Sequence, residues 1–333
     1  MANVLFGKLG QKIVYDRGLP EAIRSNTNGN YESYNMLRIL SVTLDTVFVV
    51  NDNILMSLEQ QLLDDSIKLI TDFVPKIDCA FILLGVDENN MSKKLLSIIN
   101  SGIKWYALCS DPRCLNALTK YITNPPIDVY AGAVDLDCEI AGKMFKTKYL
   151  NMEAANVYGE VFPIRDSYKH DGLVVIANQT NTWDRIGHIK DMTKLIPNNK
   201  VIVYGRCKEE DKDERFIGEF PIQHIYNSQL LSKVTYIAPI SPGWITAKYI
   251  ESIYRGVIPL ISNNYATLVF QFILDIYDID ANLFVQTPAK LLEQYLLIVN
   301  NHDYYNKVIC SLRELVYSKY SPVVLRDNLL KLI

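Results

Sequence analysis

The chain has 333 residues, 49% hydrophobic and 21% charged. That length suggests about two domains at roughly 150 residues each, and the apolar content excludes extensive disorder. The longest apolar runs, such as Thr46–Val50 and Cys79–Gly85, fall far short of the ~18–20 residues of a membrane-spanning helix, and the Met1–Lys8 segment lacks the apolar core of a secretion signal. Net charge is −3, with 15 basic and 17 acidic residues up to position 150 and 19 and 20 beyond it. This balance argues against strong non-specific attachment to nucleic-acid phosphates, although a local basic face fits within it.

In chain order, the first half predicts strands at Val4–Phe6, Thr46–Val50, Ala80–Leu84, Trp105–Cys109 and Val129–Ala131. Helical periodicity at Tyr31–Leu40, Leu58–Phe73 and Ser92–Asn100 lies between them. The second half predicts strands at Leu173–Ala177, Val201–Tyr204, Thr235–Ala238, Val257–Leu260 and Leu283–Val285. Helices at Trp183–Ile196, Ile245–Tyr254 and Ala289–Asn300 separate these, and Leu312–Ile333 reads as helical either side of Ser321-Pro322. Short apolar runs alternating with helical patterns are the signature of an α/β protein with parallel sheets. The two halves join near Phe162–Asp166, so the pattern predicts two Rossmann-like domains facing each other.

Six cysteines, at 79, 109, 114, 138, 207 and 310, contain no C-x-x-C pair, and the four histidines are scattered. The spacing offers neither a disulfide framework nor a zinc site, which suits a reduced intracellular compartment. No P-loop, no H-E-x-x-H and no Ser-His-Asp arrangement can be placed.

Open parallel sheets bind ligands at the carboxyl ends of their strands, which directs attention to the following loops. After Trp105–Cys109 comes Ser110-Asp111-Pro112-Arg113. Asp111 suits a turn before proline, and equally suits a general base taking a proton from an attacking hydroxyl. After Leu173–Ala177, the polar run from Asn178 through Thr180 to Arg185 opens a helix whose N–H groups could cradle a phosphate; an ordinary capped turn has the same look. After Thr235–Ala238, the Pro239–Trp244 loop leads into Ile245-Thr246-Ala247-Lys248-Tyr249-Ile250-Glu251. Lys248 and Glu251 share a helix face, where they could form a simple ion pair or receive a diphosphate and a ribose. Trp244 could stack on a ligand or pack.

On these residues the chain resembles the T-even bacteriophage DNA β-glucosyltransferase family, whose members transfer glucose from UDP-glucose to hydroxymethylcytosine in DNA. Ser110-Asp111-Pro112-Arg113 is similar to the family's T-D-I-R, Ala131–Asp137 to its Q-G-I-N-L-D, and Phe162-Pro163-Ile164 to its F-P-I. Asp184-Arg185 stands where the family has Q-R, Gly218-Glu219-Phe220-Pro221 resembles G-K-I-P, and Ile245–Glu251 resembles I-T-L-R-V-W-E. The motifs occur in one order over nearly the whole chain. The chain departs from the family at G-G-S-F-R, which becomes Asn178–Thr182 and loses an arginine. It departs again at Lys248, which replaces an arginine and keeps the charge without the bidentate fork.

The resemblance implies a GT-B fold: an acceptor-side Rossmann-like domain over 1–166, a nucleotide-sugar domain over 167–315, and a C-terminal helix over 316–333 that crosses back to the first. It implies Asp111 as catalytic base with Glu32 as a second acceptor-side carboxylate. On the donor side it implies Asn178, Thr180, Arg185, Phe220, Trp244, Lys248 and Glu251. For the acceptor, Arg113, Lys8, Lys12 and Arg24 are the candidates, with Lys143, Lys146 and Lys148 as further cations for a phosphate backbone. No dedicated metal cluster is visible, although Mg2+ or Mn2+ assists departure in the family as resembled. The expected function is inverting transfer from a UDP-sugar, glucose first, to a hydroxymethylated pyrimidine of phage DNA. It would be carried out by a monomer in the cytoplasm of the infected host and would serve restriction evasion. Two alternatives stay open: the same chemistry on a non-DNA acceptor, and a non-catalytic nucleotide-sugar or DNA-binding protein of this fold.

Overall fold

The computed structural model describes residues 2–10, 12–15, 28–44, 46–56, 66–85, 91–109, 119–132, 136–158, 172–178, 184–218, 231–239, 246–262 and 270–333. The chain divides into two compact units, Met1–Tyr158 with Pro322–Ile333, and Gly159–Ser321.

The first unit is built on strands β1 (Val4–Leu9), β3 (Val47–Val50), β5 (Ile67–Ile70), β6 (Cys79–Leu84), β7 (Trp105–Cys109), β8 (Val129–Ala131) and β11 (Lys148–Tyr149). They form one seven-stranded sheet in the order β11-β8-β7-β6-β1-β3-β5, every pairing parallel. All six residues of β1 and of β6 are buried, as expected of central parallel strands covered on both faces. Their side chains alternate between two cores. Val4, Phe6, Phe81 and Leu83 pack with Met36 and Leu37 of helix α1 (Asn28–Ser41), with the 3-10 turn Met152–Val157, and with Leu325 and Leu329 of the C-terminal helix Pro322–Leu330. Leu5, Leu9, Ala80 and Ile82 pack on the other side with Leu95, Ile98 and Ile99 of α2 (Lys93–Asn100). The last residues of the chain are fastened to this unit by Tyr106, whose hydroxyl donates to the Leu332 carbonyl at 2.7 Å.

Three features of this unit differ from the sequence expectation. A helix was expected over Leu58–Phe73, but Ile67–Ile70 is an edge strand whose Val47↔Ile67 to Val50↔Ile70 register extends the sheet; residues 57–65 lie outside the described residues. Pairing with β3 overrides the helical period there, and Phe73 is left 81% exposed. Strand β1 also continues three residues beyond Phe6, because its pairing with β6 persists to Leu9↔Leu84. Finally, β9 (Asp137–Ile140) and β10 (Lys143–Lys146) form an antiparallel hairpin. Ala141 and Gly142 both have positive φ, at 53° and 75°, the geometry of a two-residue primed turn. A two-stranded parallel ribbon, β2 (Ile13–Tyr15) with β4 (Ile54–Met56), completes the unit.

The second unit carries a six-stranded parallel sheet of β12 (Leu173–Ile176), β13 (Val201–Tyr204), β14 (Phe216–Gly218), β15 (Val234–Ile237), β16 (Ile258–Ser262) and β17 (Phe284–Val285), ordered β14-β13-β12-β15-β16-β17. Its helices are α3 (Arg185–Thr193), α4 (Lys248–Tyr254), α5 (Gln271–Ile279), α6 (Pro288–Asn300) and α7 (His302–Lys319). Both sheets therefore start in the middle, wind outward, then reverse, the doubly wound 3-2-1-4-5-6 order with one strand added to the first. The reversals fall between β1 and β6 and between β12 and β15. Among the described residues no helix is long and apolar enough to cross a membrane.

Candidate functional site

In a doubly wound sheet the crevice opens where the carboxyl ends of the two strands flanking the reversal diverge. In the second unit those ends are Ala177-Asn178 after β12 and Ala238-Pro239 after β15. Arg185, the first residue of α3, spans them. Its Nε donates to the Ala238 carbonyl at 2.8 Å and its Nη1 to the Asn178 carbonyl at 3.2 Å. The guanidinium is thus fixed to both strands, and the residue is 2% exposed. Burial lowers its pKa to about 10, and no carboxylate among the described residues offsets the charge. A buried cation without a counter-ion is costly unless a ligand supplies one.

Helix α3 is started by Asp184, whose side chain accepts from the Gly187 amide at 2.9 Å. The neighbouring loop is shaped by Asn178, whose Oδ1 accepts from the Arg206 amide at 2.8 Å. Gly205 makes this possible: its φ is +139°, and a Cβ there would lie 1.9 Å from the Ala177 carbonyl oxygen. Asn178 is exposed at this edge, with both its carbonyl and its side chain engaged in holding strand ends and loop.

Lys248 opens α4 on the other side of the reversal. Burial lowers its pKa, with Arg185 and Arg255 pushing the same way and Glu251 opposing. Lys248 therefore senses all three of Arg185, Glu251 and Arg255, which places the sequence candidates Arg185, Lys248 and Glu251 near one another, with Asn178 joined to Arg185 through its carbonyl. The carboxylate of Glu251 has a different ion-pair partner from the one its spacing suggested. Arg255, one turn on, places Nη1 3.6 Å from Oε2, and both side chains are buried. Helix α4 is held at its far end by Arg313 of α7, whose Nε and Nη2 bind the Ile253 and Tyr254 carbonyls at 3.2 and 2.7 Å. The donor-side candidates Thr180, Phe220 and Trp244 lie outside the described residues.

Behind Arg185 sits a polar cluster that the scattered histidines did not announce. His188 Nε2 lies 2.7 Å from the Tyr236 hydroxyl and 3.1 Å from Ser262 Oγ, tying α3 to β15 and β16. Burial lowers the His188 pKa, against the pull of Asp191 and Asp184.

In the first unit, strand β7 ends at Cys109, directly before Ser110-Asp111. Asp111, Arg113 and Arg24 lie outside the described residues, as does the side chain of Glu32, whose backbone belongs to α1. The carboxyl edge nevertheless carries a carboxylate missed from the sequence. Glu153 is buried, and its Oε1 would be 1.9 Å from a Cβ placed on Gly132, the residue after β8. The glycine in Ala131-Gly132-Ala133 is the signal that something approaches that backbone closely. Among the cations, Lys8 does not belong to a solvated basic face: it lies within β1 and is 2% exposed. Its amide and carbonyl are bound by the Asn53 side chain at 2.8 and 2.7 Å. Lys12 is exposed, as are Lys143, Lys146 and Lys148 on β10 and β11. Lys148 pairs with Asp128 at 2.9 Å, while Lys143 lies over the Phe145 ring. Among the described residues, no group of three or more His, Cys, Asp or Glu is placed to hold a metal ion.

Two doubly wound parallel sheets of this order, in two units of one chain, define the α/β class to which GT-B glycosyltransferases belong. No protein-family model matches the chain, and no curated protein matches it by sequence. Solved structures match over nearly its whole length. The DNA-modifying enzyme β-glucosyltransferase, determined with and without uridine diphosphoglucose, aligns at 13% identity over 99% of this chain and 98% of its own, with a TM-score of 0.65. An α-glucosyltransferase in complex with UDP-glucose and DNA containing an abasic site aligns at 9% identity over 99% of both chains, with a TM-score of 0.62. Anabaena HepE in complex with UDP and glucose aligns at 10% identity over 99% of both chains, with a TM-score of 0.54. At these identities the likeness establishes the fold, which is that of the GT-B glycosyltransferases.

Proposed function

We propose that the protein is a UDP-sugar-dependent glycosyltransferase that moves a sugar, glucose first, to a 5-hydroxymethyl pyrimidine in DNA. The observation that carries this reading is Arg185, a buried guanidinium spanning the two strand ends at the reversal of the second sheet. Lys248 and Arg255 join it against the single carboxylate of Glu251. Three cations against one acid leave a surplus that a doubly anionic diphosphate would neutralise. A UDP-sugar donor fits that surplus together with a carboxylate one turn from the lysine, suited to the ribose hydroxyls. Structures of the same fold determined with UDP-glucose and with DNA support the substrate classes.

In the proposed reaction, Asp111 accepts the proton of the acceptor hydroxymethyl group as its oxygen attacks the anomeric carbon. The bond from that carbon to the β-phosphate oxygen breaks, and the electron pair leaves with UDP from the opposite face, so the configuration inverts. Arg185 and Lys248 stabilise the charge that grows on the leaving oxygen. To present a base from within a duplex, the enzyme extrudes it. Lys12, Lys143 and Lys146 are the exposed cations assigned to the phosphate backbone.

A second reading, the same transfer to a non-DNA acceptor, is favoured by one observation: the net charge of −3 is unusual for a DNA-binding enzyme. One experiment separates the two. The protein is incubated with UDP-glucose and with DNA containing hydroxymethylcytosine or hydroxymethyluracil, and the digested nucleosides are weighed by mass spectrometry. A hexose on the modified nucleoside is the expected result. Tight UDP binding without transfer to either DNA would move the acceptor elsewhere, and absence of UDP binding would defeat the donor assignment itself.

A further inference from the structure

Glu251 is 7% exposed, and a buried carboxylate is tolerated where a positive group compensates it. The group present is Arg255, whose side chain is 1% exposed. It stands one turn further along α4, immediately before Gly256, and its own amide donates to the Glu251 carbonyl at 3.1 Å. At 3.6 Å between Nη1 and Oε2 the contact is an ion pair rather than a short hydrogen bond. The carboxylate is therefore compensated electrostatically without having its acceptor sites occupied by the arginine, so it retains the capacity to accept from ligand hydroxyls. The helix that carries both residues is itself fixed, because Arg313 binds the carbonyls of Ile253 and Tyr254 between Glu251 and the helix end.

We propose that Arg255 is a positioning residue for ribose recognition: it holds the Glu251 carboxylate in place for the ribose hydroxyls, and so sets the preference for ribonucleotide over deoxyribonucleotide donors. The proposal rests on the reading of this crevice as a UDP-sugar site. It assigns separate tasks to cations that lie close together. Arg185 and Lys248 serve the diphosphate, whereas Arg255 acts through Glu251 and makes no ligand contact of its own. A simple intrahelical pair, by contrast, contributes to stability and nothing to ligand choice.

The test compares the dissociation constants of UDP and 2′-deoxy-UDP by titration calorimetry, in the wild type, Arg255→Met, Arg255→Lys and Glu251→Gln. Hydrogen bonds to a charged acceptor contribute about 1.5–3 kcal/mol, so the wild type should prefer UDP by roughly 10- to 100-fold. Arg255→Met should bring that preference to within about threefold, as Glu251→Gln should, and Arg255→Lys should retain part of it. The affinity for 2′-deoxy-UDP should change little in Arg255→Met. Should the methionine variant fail to fold, the same ratio is read on Arg255→Gln. An unchanged preference, or an equal loss for both nucleotides, overturns the proposal while leaving the donor site standing. Failure of the wild type to bind either nucleotide overturns the donor assignment and this proposal with it.

Discussion

The two sheets follow the same winding rule but equip their reversal points differently. At the β1–β6 reversal of the first unit the strands are apolar throughout, and the single cation, Lys8, is buried within the strand while its backbone is clamped by Asn53. At the β12–β15 reversal of the second unit a buried guanidinium bridges the strand ends, with a lysine and an ion pair beside it. A shared winding rule therefore does not imply shared ligands, because the fold supplies the crevice and the side chains at the strand ends decide what enters it. On the proposed function, the second unit would bind by charge. The first carries a carboxylate at its edge, Glu153 beside Gly132, and is proposed to supply Asp111, which follows β7 in sequence.

The largest expected effect breaks the comparison at the level of chemistry. If the proposed division of labour holds, Asp111→Asn lowers kcat by roughly 10²- to 10⁴-fold, the usual worth of a general base. The UDP-glucose dissociation constant should stay within about twofold. Steady-state kinetics and calorimetry on the same preparation check this. A variant that turns over normally, or that loses donor affinity instead, would show that the first unit does not house the base.

A smaller but still large effect is expected in the second unit. Arg185→Met removes charge-assisted contacts to the diphosphate and should weaken UDP by about 10- to 100-fold. It also strips the Asn178 and Ala238 carbonyls of their donor, and for the buried one, Ala238, the cost is on the order of 1–3 kcal/mol before water enters. Hydrogen exchange should therefore rise around Asn178 and Ala238 and remain unaltered in β1 and β6. Loss of protection spread equally over both units would contradict the assignment of Arg185 to a local brace.

Much of this architecture was readable from the chain because central parallel strands are continuous apolar runs. Leu173–Ile176 and Cys79–Leu84 needed no tertiary information to be placed. The edge strand Ile67–Ile70 was hidden, since its Ile-Lys-Leu-Ile pattern with one exposed lysine also satisfies a helical period, and pairing with β3 decides between them. The β9–β10 hairpin was hidden because its turn is Ala141-Gly142 rather than the Asn-Gly or Asp-Gly that announces such turns. Arg185 and Lys248 drew attention in the sequence because each opens a helix that follows a strand, and Glu251 because its three-residue spacing from Lys248 shares a helix face. His188 was not, since its partners Tyr236 and Ser262 are 48 and 74 residues away. Arg255 carried a local clue, its four-residue spacing from Glu251, but burial of the pair is a property of the packed helix and not of the spacing.

The smallest effect, and the most specific to the cationic crevice, concerns Lys248. Burial and the charges of Arg185 and Arg255 hold its pKa below the ordinary lysine value. A bound diphosphate pushes the same pKa upward, so donor binding takes up protons wherever Lys248 is partly deprotonated in the free protein. UDP-glucose affinity should accordingly fall as pH rises through the lowered pKa, by at most about tenfold per pH unit. UDP-glucose is preferable to UDP here because its diphosphate lacks the terminal phosphate ionisation near pH 6. The folding contribution of Lys248 has the opposite sign. The unfolded chain binds the proton more tightly than the native one, so between the lowered pKa and the ordinary value this group makes the unliganded protein more stable as pH rises. Thermal unfolding with and without UDP-glucose from pH 7 to 9, below the titration of Arg185, should therefore show a shrinking ligand-induced shift, while Lys248 itself favours the unliganded fold increasingly. Calorimetry in buffers of different ionisation enthalpy should register the proton uptake directly. Lys248→Arg should abolish that uptake below pH 9, where a guanidinium stays protonated even if burial lowers it as far as it does Arg185, to about 10. Proton release on binding, or an uptake that survives in Lys248→Arg, would place the titrating group elsewhere and remove Lys248 from the diphosphate site.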